Sequence, residues 1–174
     1  MKGEERILKV FERNAKALSL RPTLGQGTAT TRVKLKEGYL CEAEDGDWSL
    51  RVDMSEKSGG TGSAPDPGVY GRTALGSCLA ITYAAWAAKL DIEVSSIEVE
   101  VQADYDSNGF HGLGEAPAGY RQVRYVVTVE SGASEEEIQL FLDTSDEHSA
   151  YLDVFSRAMD VRREVEIVKS VGRD

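Results

Sequence analysis

Apolar positions along the chain follow distinct rhythms, and each rhythm predicts a kind of element. From Glu4 to Leu18, residues Ile7, Leu8, Phe11, Ala15 and Leu18 recur at helical spacing. That predicts an amphipathic helix docked on its own domain or on a partner subunit. Arg21-Pro22 and Gly25-Gln26-Gly27 then break the pattern. From Thr28 to Lys36 the rhythm becomes alternation, with Thr30, Arg32 and Lys34 on one side and Thr31, Val33 and Leu35 on the other. This predicts a strand with one wet face. Turns at Glu37-Gly38 and Asp45-Gly46-Asp47 separate it from strands over Tyr39–Glu44 and Trp48–Met54, completing a meander.

A continuous apolar stretch follows, Ala64 to Leu90, with no charged residue from Thr73 to Ala88. Alanine dominates it, so it predicts a long helix. Asp66 is an N-cap type and Pro67 suits the first helical position, while Lys89 places a cation where the macrodipole favours one. A helix apolar nearly all round is expected to be covered on nearly all sides. Its apolar run falls short of the roughly 20 residues that a membrane span needs.

Beyond it, Ser95–Tyr105 and Tyr120–Val129 predict a pair of strands joined by the glycine-rich connection Asp106–Gly119, a candidate lid or edge-covering loop. Ser134 and Glu137 form a capping box for a helix running to about His148 and resuming through Tyr151–Ala158. The tail, Val161–Val171, alternates Val165, Ile167 and Val171 against charged neighbours and predicts a last strand. Antiparallel strands with segregated helices make an α+β fold.

The chain has 174 residues, enough for one domain with a proper core. It divides into an N-terminal helix over residues 1–20, a meander part over 21–63 and a helix-strand-strand-helix-strand part over 64–174. A net charge of −10 argues against nucleic acid and against an anionic membrane surface as partners. The first 18 residues carry charges throughout, which is unlike a secretion signal. Two cysteines, Cys41 and Cys78, are too few for a disulfide framework, so a reducing cytoplasm is the expected location.

Candidate chemistry is sparse. His111 has no partners at ligand spacing, so no metal is assigned, and no Ser-His-Asp arrangement is visible. Gly59-Gly60-Thr61-Gly62 precedes a helix, but neither phosphate-loop spacing is present. The loop reads as a crossing from sheet to helix. Cys41 reads as a small core residue of its strand. Cys78 sits in the apolar helix beside Ala74, Leu75, Ile81 and Thr82. None of these lowers a thiol pKa, so activation is expected to need a cation from elsewhere.

The stretches GTATTRVKLKEGYLCEA, GGTGSAPDPG, GRTALGSCLAITYAAWAAKLDIEV and IEVEVQADYD, in this order, resemble the OsmC/Ohr family over about Pro22 to Lys169. The resemblance implies an α+β fold of antiparallel sheets around long central helices, in an intertwined homodimer. It implies a thiol-dependent peroxidase that reduces organic hydroperoxides in the oxidative stress response, with an external thiol reductant and no cofactor. Cys78 matches the peroxidatic position. The family's second cysteine falls at Ser149, and its glutamate ten residues before the reactive cysteine falls at Gly68, with Asp66 two residues earlier. Its activating arginine falls in the turn Gly25-Gln26-Gly27, where the nearest cation is Arg21. Arg72 is a second candidate, on a different helix face from Cys78.

Two readings follow. In one, Cys78 is a one-cysteine peroxidase, activated by Arg21 or Arg72 with Asp66 orienting the guanidinium. In the other, the fold binds a small apolar ligand at the dimer interface and Cys78 only packs. A Cys41–Cys78 disulfide would restore a two-thiol scheme, but it requires Cα atoms within about 7 Å.

Overall fold

The computed structural model describes residues 3–169. Its elements are α1 (Gly3–Leu20), β1 (Arg32–Leu35), β2 (Cys41–Asp45), β3 (Trp48–Val52), α2 (Pro67–Lys89), β4 (Val94–Tyr105), α3 (Ser107–Phe110), β5 (Tyr120–Ser131), α4 (Glu135–Asp146) and α5 (Ala150–Ser156). The α+β expectation holds. Two antiparallel sheets, β1-β2-β3 and β4-β5, accompany the helices.

The meander is shorter than its alternation predicts. β1 begins at Arg32 rather than Thr28, because β2 has already turned at Asp45 and Arg32 pairs with Glu44. Thr31 instead gives its hydroxyl to the Asp45 carboxylate. Pairing Val33 with Ala43 and Ala43 with Leu50 aligns one apolar face. Cys41 lies on that face opposite Leu35 and Val52.

The helix signals at the start of α2 are realised. Asp66 accepts a hydrogen bond from the Val69 amide at 3.0 Å, with Pro67 just inside. At the far end Asp91 takes a left-handed conformation, φ 58°, and Ile92 N–H closes on the Ala87 carbonyl at 2.9 Å. Leu75, Leu79, Tyr83 and Ala87 form the buried stripe of α2, joined by Phe141 of α4. Val99, Val101, Val123 and Tyr125 of the β4-β5 pair pack against it. A Cβ at Gly76 would stand 3.2 Å from Val101 Cγ2, so the missing side chain lets helix and sheet approach closely.

One expectation for α2 needs correcting. The helix is apolar nearly all round, yet within one chain a stripe through Thr73, Ser77 and Ile81 stays exposed, Ile81 by 69%. α1 covers part of another side, its Phe11 meeting Trp86 edge-on at 5.8 Å with Lys89 over both rings.

The α4 helix ends at Asp146 rather than at His148, and α5 resumes at Ala150 and stops at Ser156. The predicted last strand is absent over 161–169, which pairs with no other strand. Alternation is necessary for a half-buried strand, but an open edge must also receive it. Val171 lies outside the described residues. The connection between β4 and β5 folds on itself: a Cβ at Gly109 would come within 2.1 Å of the Pro117 carbonyl oxygen. His111 turns Nδ1 to the Ser107 carbonyl at 2.8 Å.

Candidate functional site

Cys78 stands mid-way along α2, and its thiol is half-buried. Two groups converge on the sulfur, both from the start of α5. The Tyr151 backbone N–H donates to Sγ at 3.4 Å, and the Ser149 hydroxyl donates at 3.7 Å. Ser149 occupies the N-cap position of α5, where a serine oxygen ordinarily accepts from the second or third amide of the helix. Here it makes no such bond and is 2% exposed. The amide it would have satisfied is given to the sulfur of another helix.

That arrangement sets the electrostatics. Partial burial pushes the Cys78 thiol up, but the Tyr151 amide and the Ser149 hydroxyl, with the Ala150 amide behind them, outweigh burial. The thiol lies below its ordinary value. Thr82 stands close by, but a hydroxyl has one proton, and Thr82 spends it on the Cys78 carbonyl at 2.8 Å. The donors that hold a thiolate therefore come from α5. Within one chain the donors to the sulfur are neutral, and they lie more than seventy residues away in sequence.

The other candidate residues fall into two places. Asp66, Arg72 and Tyr120 converge on Gly68. A Cβ built there would meet Asp66 Oδ1 at 3.0 Å, Arg72 Nη1 at 3.1 Å and the Tyr120 hydroxyl at 3.1 Å. Arg72 donates to the Tyr120 hydroxyl at 3.1 Å, and that hydroxyl donates to the Gly68 carbonyl at 3.1 Å. The guanidinium is thus aimed at Tyr120 rather than at Cys78. Arg21 is exposed after α1, and its amide bonds the Ala17 carbonyl. Cys41 and Cys78 are both free thiols.

A cleft of about 520 Å³ lies between Leu75 of α2, the first half of β5 and α5. Leu75, Tyr120, Tyr125, Leu152 and Phe155 are among its lining residues. Leu75 is three positions before Cys78 and Leu152 directly follows Tyr151, but neither Cys78 nor Ser149 lines the cleft. A larger groove of about 780 Å³ lies between α1, α2 and the start of β4, and neither Cys78 nor Ser149 lines it.

Two features escaped the sequence reading. Asp53, 1% exposed, accepts from the Thr61 and Ser63 amides and from both hydroxyls, and its other oxygen accepts from the Met54 amide. These bonds hold its carboxyl well below the usual carboxylate range. The amides of the glycine-rich loop are therefore engaged by an internal anion. The second is Asp146, which receives the hydroxyls of Tyr83 and Tyr125. Among the described residues, no group of three or more His, Cys, Asp or Glu is placed to hold a metal. No helix among them is long and apolar enough to cross a membrane.

A family model described as OsmC-like protein matches residues 60–164. The fold is similar to that of an OsmC-like protein from Mycoplasma pneumoniae, with 18% identity and a TM-score of 0.64 over 75% of this chain and 88% of that one. It is also similar to an organic hydroperoxide resistance protein OsmC from Legionella pneumophila, with 14% identity and a TM-score of 0.56 over 76% and 91% of the two chains. An OsmC-like protein of unknown function from Vibrio cholerae shares 12% identity with a TM-score of 0.58 over 74% and 94%. At these identities the likeness is one of fold. Compared with curated proteins, the sequence matches none.

Proposed function

We propose, because this chain belongs to the OsmC-like protein family, that it is a thiol peroxidase for organic hydroperoxides in which Cys78 works without a second cysteine. One observation carries the reading. The Cys78 sulfur faces an amide and a hydroxyl that favour its ionised form. The name of the Legionella protein supports the substrate class.

In this mechanism the Cys78 thiolate attacks the terminal oxygen of the hydroperoxide. An S–O bond forms, the O–O bond breaks, and the alkoxide takes up a proton to leave as an alcohol. Cys78 is oxidised to a sulfenic acid. Ser149 lies where a resolving thiol would stand, but a hydroxyl cannot form a disulfide. An external thiol therefore attacks the sulfenic sulfur, releasing water and leaving a mixed disulfide. A second thiol of the reductant then takes the disulfide and frees Cys78. The Ser149 hydroxyl and the Tyr151 amide hold the thiolate at the start and end of the cycle.

The cleft receives the apolar part of the hydroperoxide, with Tyr120, which Arg72 bonds, at its polar end and Asp66 beside that pair at Gly68. Arg21 takes part only if a second subunit brings it to the site. The uncovered side of α2 around Ile81 supports a homodimer. Residues 1–174 then form a single domain with α1 added in front of the meander. Two free thiols fit a reducing cytoplasm.

A binding-only role for a small apolar ligand is favoured by one fact. Among the described residues no guanidinium is bonded to the sulfur. An assay separates the readings. Cumene or tert-butyl hydroperoxide is consumed with dithiothreitol or dihydrolipoamide, and Cys78→Ser abolishes consumption. If the wild-type protein neither consumes the hydroperoxide nor yields a trappable sulfenic acid at Cys78, the peroxidase reading fails.

A further inference from the structure

We infer that Asp146 is a positioning residue for the Cys78 thiol, acting through the junction between α4 and α5. Its carboxylate is shared by two phenols: the Tyr83 hydroxyl donates to Oδ1 at 2.6 Å and the Tyr125 hydroxyl to Oδ2 at 2.7 Å. Both phenols stay protonated at neutral pH. Burial and the neighbouring carboxylate push Tyr125 up to about 12 and raise Tyr83 well above its ordinary value. Tyr83 belongs to the buried stripe of α2, five residues beyond Cys78, or roughly 7.5 Å of axial rise. Tyr125 belongs to β5, in the layer against which α2 packs. Asp146 thus fastens the last residue of α4 to both.

Only two residues, Glu147 and His148, separate Asp146 from Ser149, and the segment forms a bonded turn. The His148 amide closes on the Ser145 carbonyl at 3.0 Å, and the Ser149 amide closes on the Asp146 carbonyl at 3.3 Å. Displacing Asp146 therefore displaces Ser149, and with it the first turn of α5, whose Tyr151 amide must stay within bonding range of the sulfur. On the outer side His148 packs against Trp86 with ring centroids 4.4 Å apart and the planes tilted by 43°. The junction is tied to α2 at three levels, by His148 on Trp86, Asp146 on Tyr83, and Ser149 with Tyr151 on Cys78. The Asp146 carboxylate makes one charge-assisted bond to α2 through Tyr83 and a second to β5 through Tyr125, so it also fixes the junction to the sheet. The ionisable groups at the junction are Tyr83, Tyr125, Asp146, Glu147, His148 and Tyr151, besides Cys78 itself.

The sign of the effect separates positioning from a direct electrostatic role. A carboxylate acting on the thiol through its charge would disfavour a thiolate, so its removal would speed alkylation at neutral pH. A carboxylate that holds α5 in place does the reverse. The test follows iodoacetamide alkylation of Cys78 against pH, resolved by peptide mass spectrometry so that Cys41 is scored separately. In Asp146→Ala the midpoint is expected to rise and the rate at pH 7 to fall at least about threefold, a factor in keeping with losing part of a hydrogen bond to a charged sulfur. Tyr83→Phe and Tyr125→Phe each remove one bond and are expected to move the midpoint the same way by less. Asp146→Asn, which keeps one acceptor, falls between wild type and Asp146→Ala. Should Asp146→Ala fail to fold, the two Tyr→Phe variants carry the test. Asp53→Asn, a loop variant away from the thiol, is the control for a general loss of stability and leaves the midpoint where it was.

An unchanged midpoint, or a faster rate at neutral pH in the folded variants, overturns the positioning role. The importance of this role for turnover rests on the reading of Cys78 as the reacting thiol, but the alkylation measurement needs no hydroperoxide. A shifted titration in a protein without peroxidase activity overturns that activity alone. A normal titration in an active enzyme overturns the role of Asp146 alone.

Discussion

The Tyr151 amide and the Cys78 sulfur meet across 3.4 Å, joining the first turn of one helix to the middle of another. Short of proline, a substitution leaves the backbone donor in place, but the Ser149 hydroxyl two residues earlier can be removed. Ser149→Ala deletes the hydroxyl that also donates to Sγ. The thiolate loses a donor, its midpoint rises, and alkylation of Cys78 at pH 7 slows by about two- to fivefold, the factor for one modest hydrogen bond. Site-resolved alkylation kinetics measure this, and an unchanged rate would show that the hydroxyl contributes nothing.

Restoring a thiol at the same position should change the chemistry. The Ser149 oxygen stands 3.7 Å from the sulfur, and a disulfide needs about 2.05 Å, a gap that side-chain rotation can close. Treatment of Ser149→Cys with one equivalent of hydroperoxide is expected to link positions 78 and 149. Non-reducing peptide mapping reads this as a cross-linked peptide two hydrogens lighter, with water lost from the sulfenic acid.

Asp53 makes the glycine-rich loop sensitive to acid. Its folded pKa lies below the unfolded value of 3.8. The stability it contributes is therefore fully present above about pH 4 and is lost as pH falls through the folded value. Asp53→Asn lacks that contribution at every pH. Urea melts should show the largest gap between wild type and variant at pH 7, narrowing below pH 3.8. A gap that widens in acid would contradict the assignment.

The loop also fixes Gly60. A Cβ there would lie 2.0 Å from the Met54 carbonyl oxygen and 2.7 Å from Asp53 Oδ1. Gly60→Ala should destabilise the protein by about 3 kcal/mol, the upper part of the overpacking range, because backbone rather than a flexible side chain must move. Thermal or urea unfolding reads the loss.

The opposite is expected at Asp91, whose left-handed φ of 58° closes the end of α2. Glycine adopts this conformation without steric cost, so Asp91→Gly should stabilise the protein by up to about 1 kcal/mol. The same unfolding measurement checks it.

Much of the fold was legible because it is written in local terms. Asp66 and Pro67 start α2, Ser134 and Glu137 start α4, and the alternation of β4 and β5 pairs Val99 with Val127 and Val101 with Tyr125. Where the local signal misled, a partner was missing. The tail alternates like a strand, yet over 161–169 no edge of its own chain receives it. The uniform apolarity of α2 pointed to cover on nearly all sides, and one chain supplies only part of it.

Residue types were readable from the chain alone: one thiol on an apolar helix, and a serine preceded by His148 at the start of a short later helix. Helix periods, caps and turns act over a few residues, so these could be read directly. What the thiol faces depends on how distant segments come together. The short break between α4 and α5 turns the Ser149 hydroxyl and the Tyr151 amide onto Cys78, and the folding of the chain brings Tyr83, Tyr125 and Asp146 together. Hydrogen bonds to a sulfur or a carboxylate depend on angles and on tenths of an ångström between distant segments, and no residue pattern encodes those.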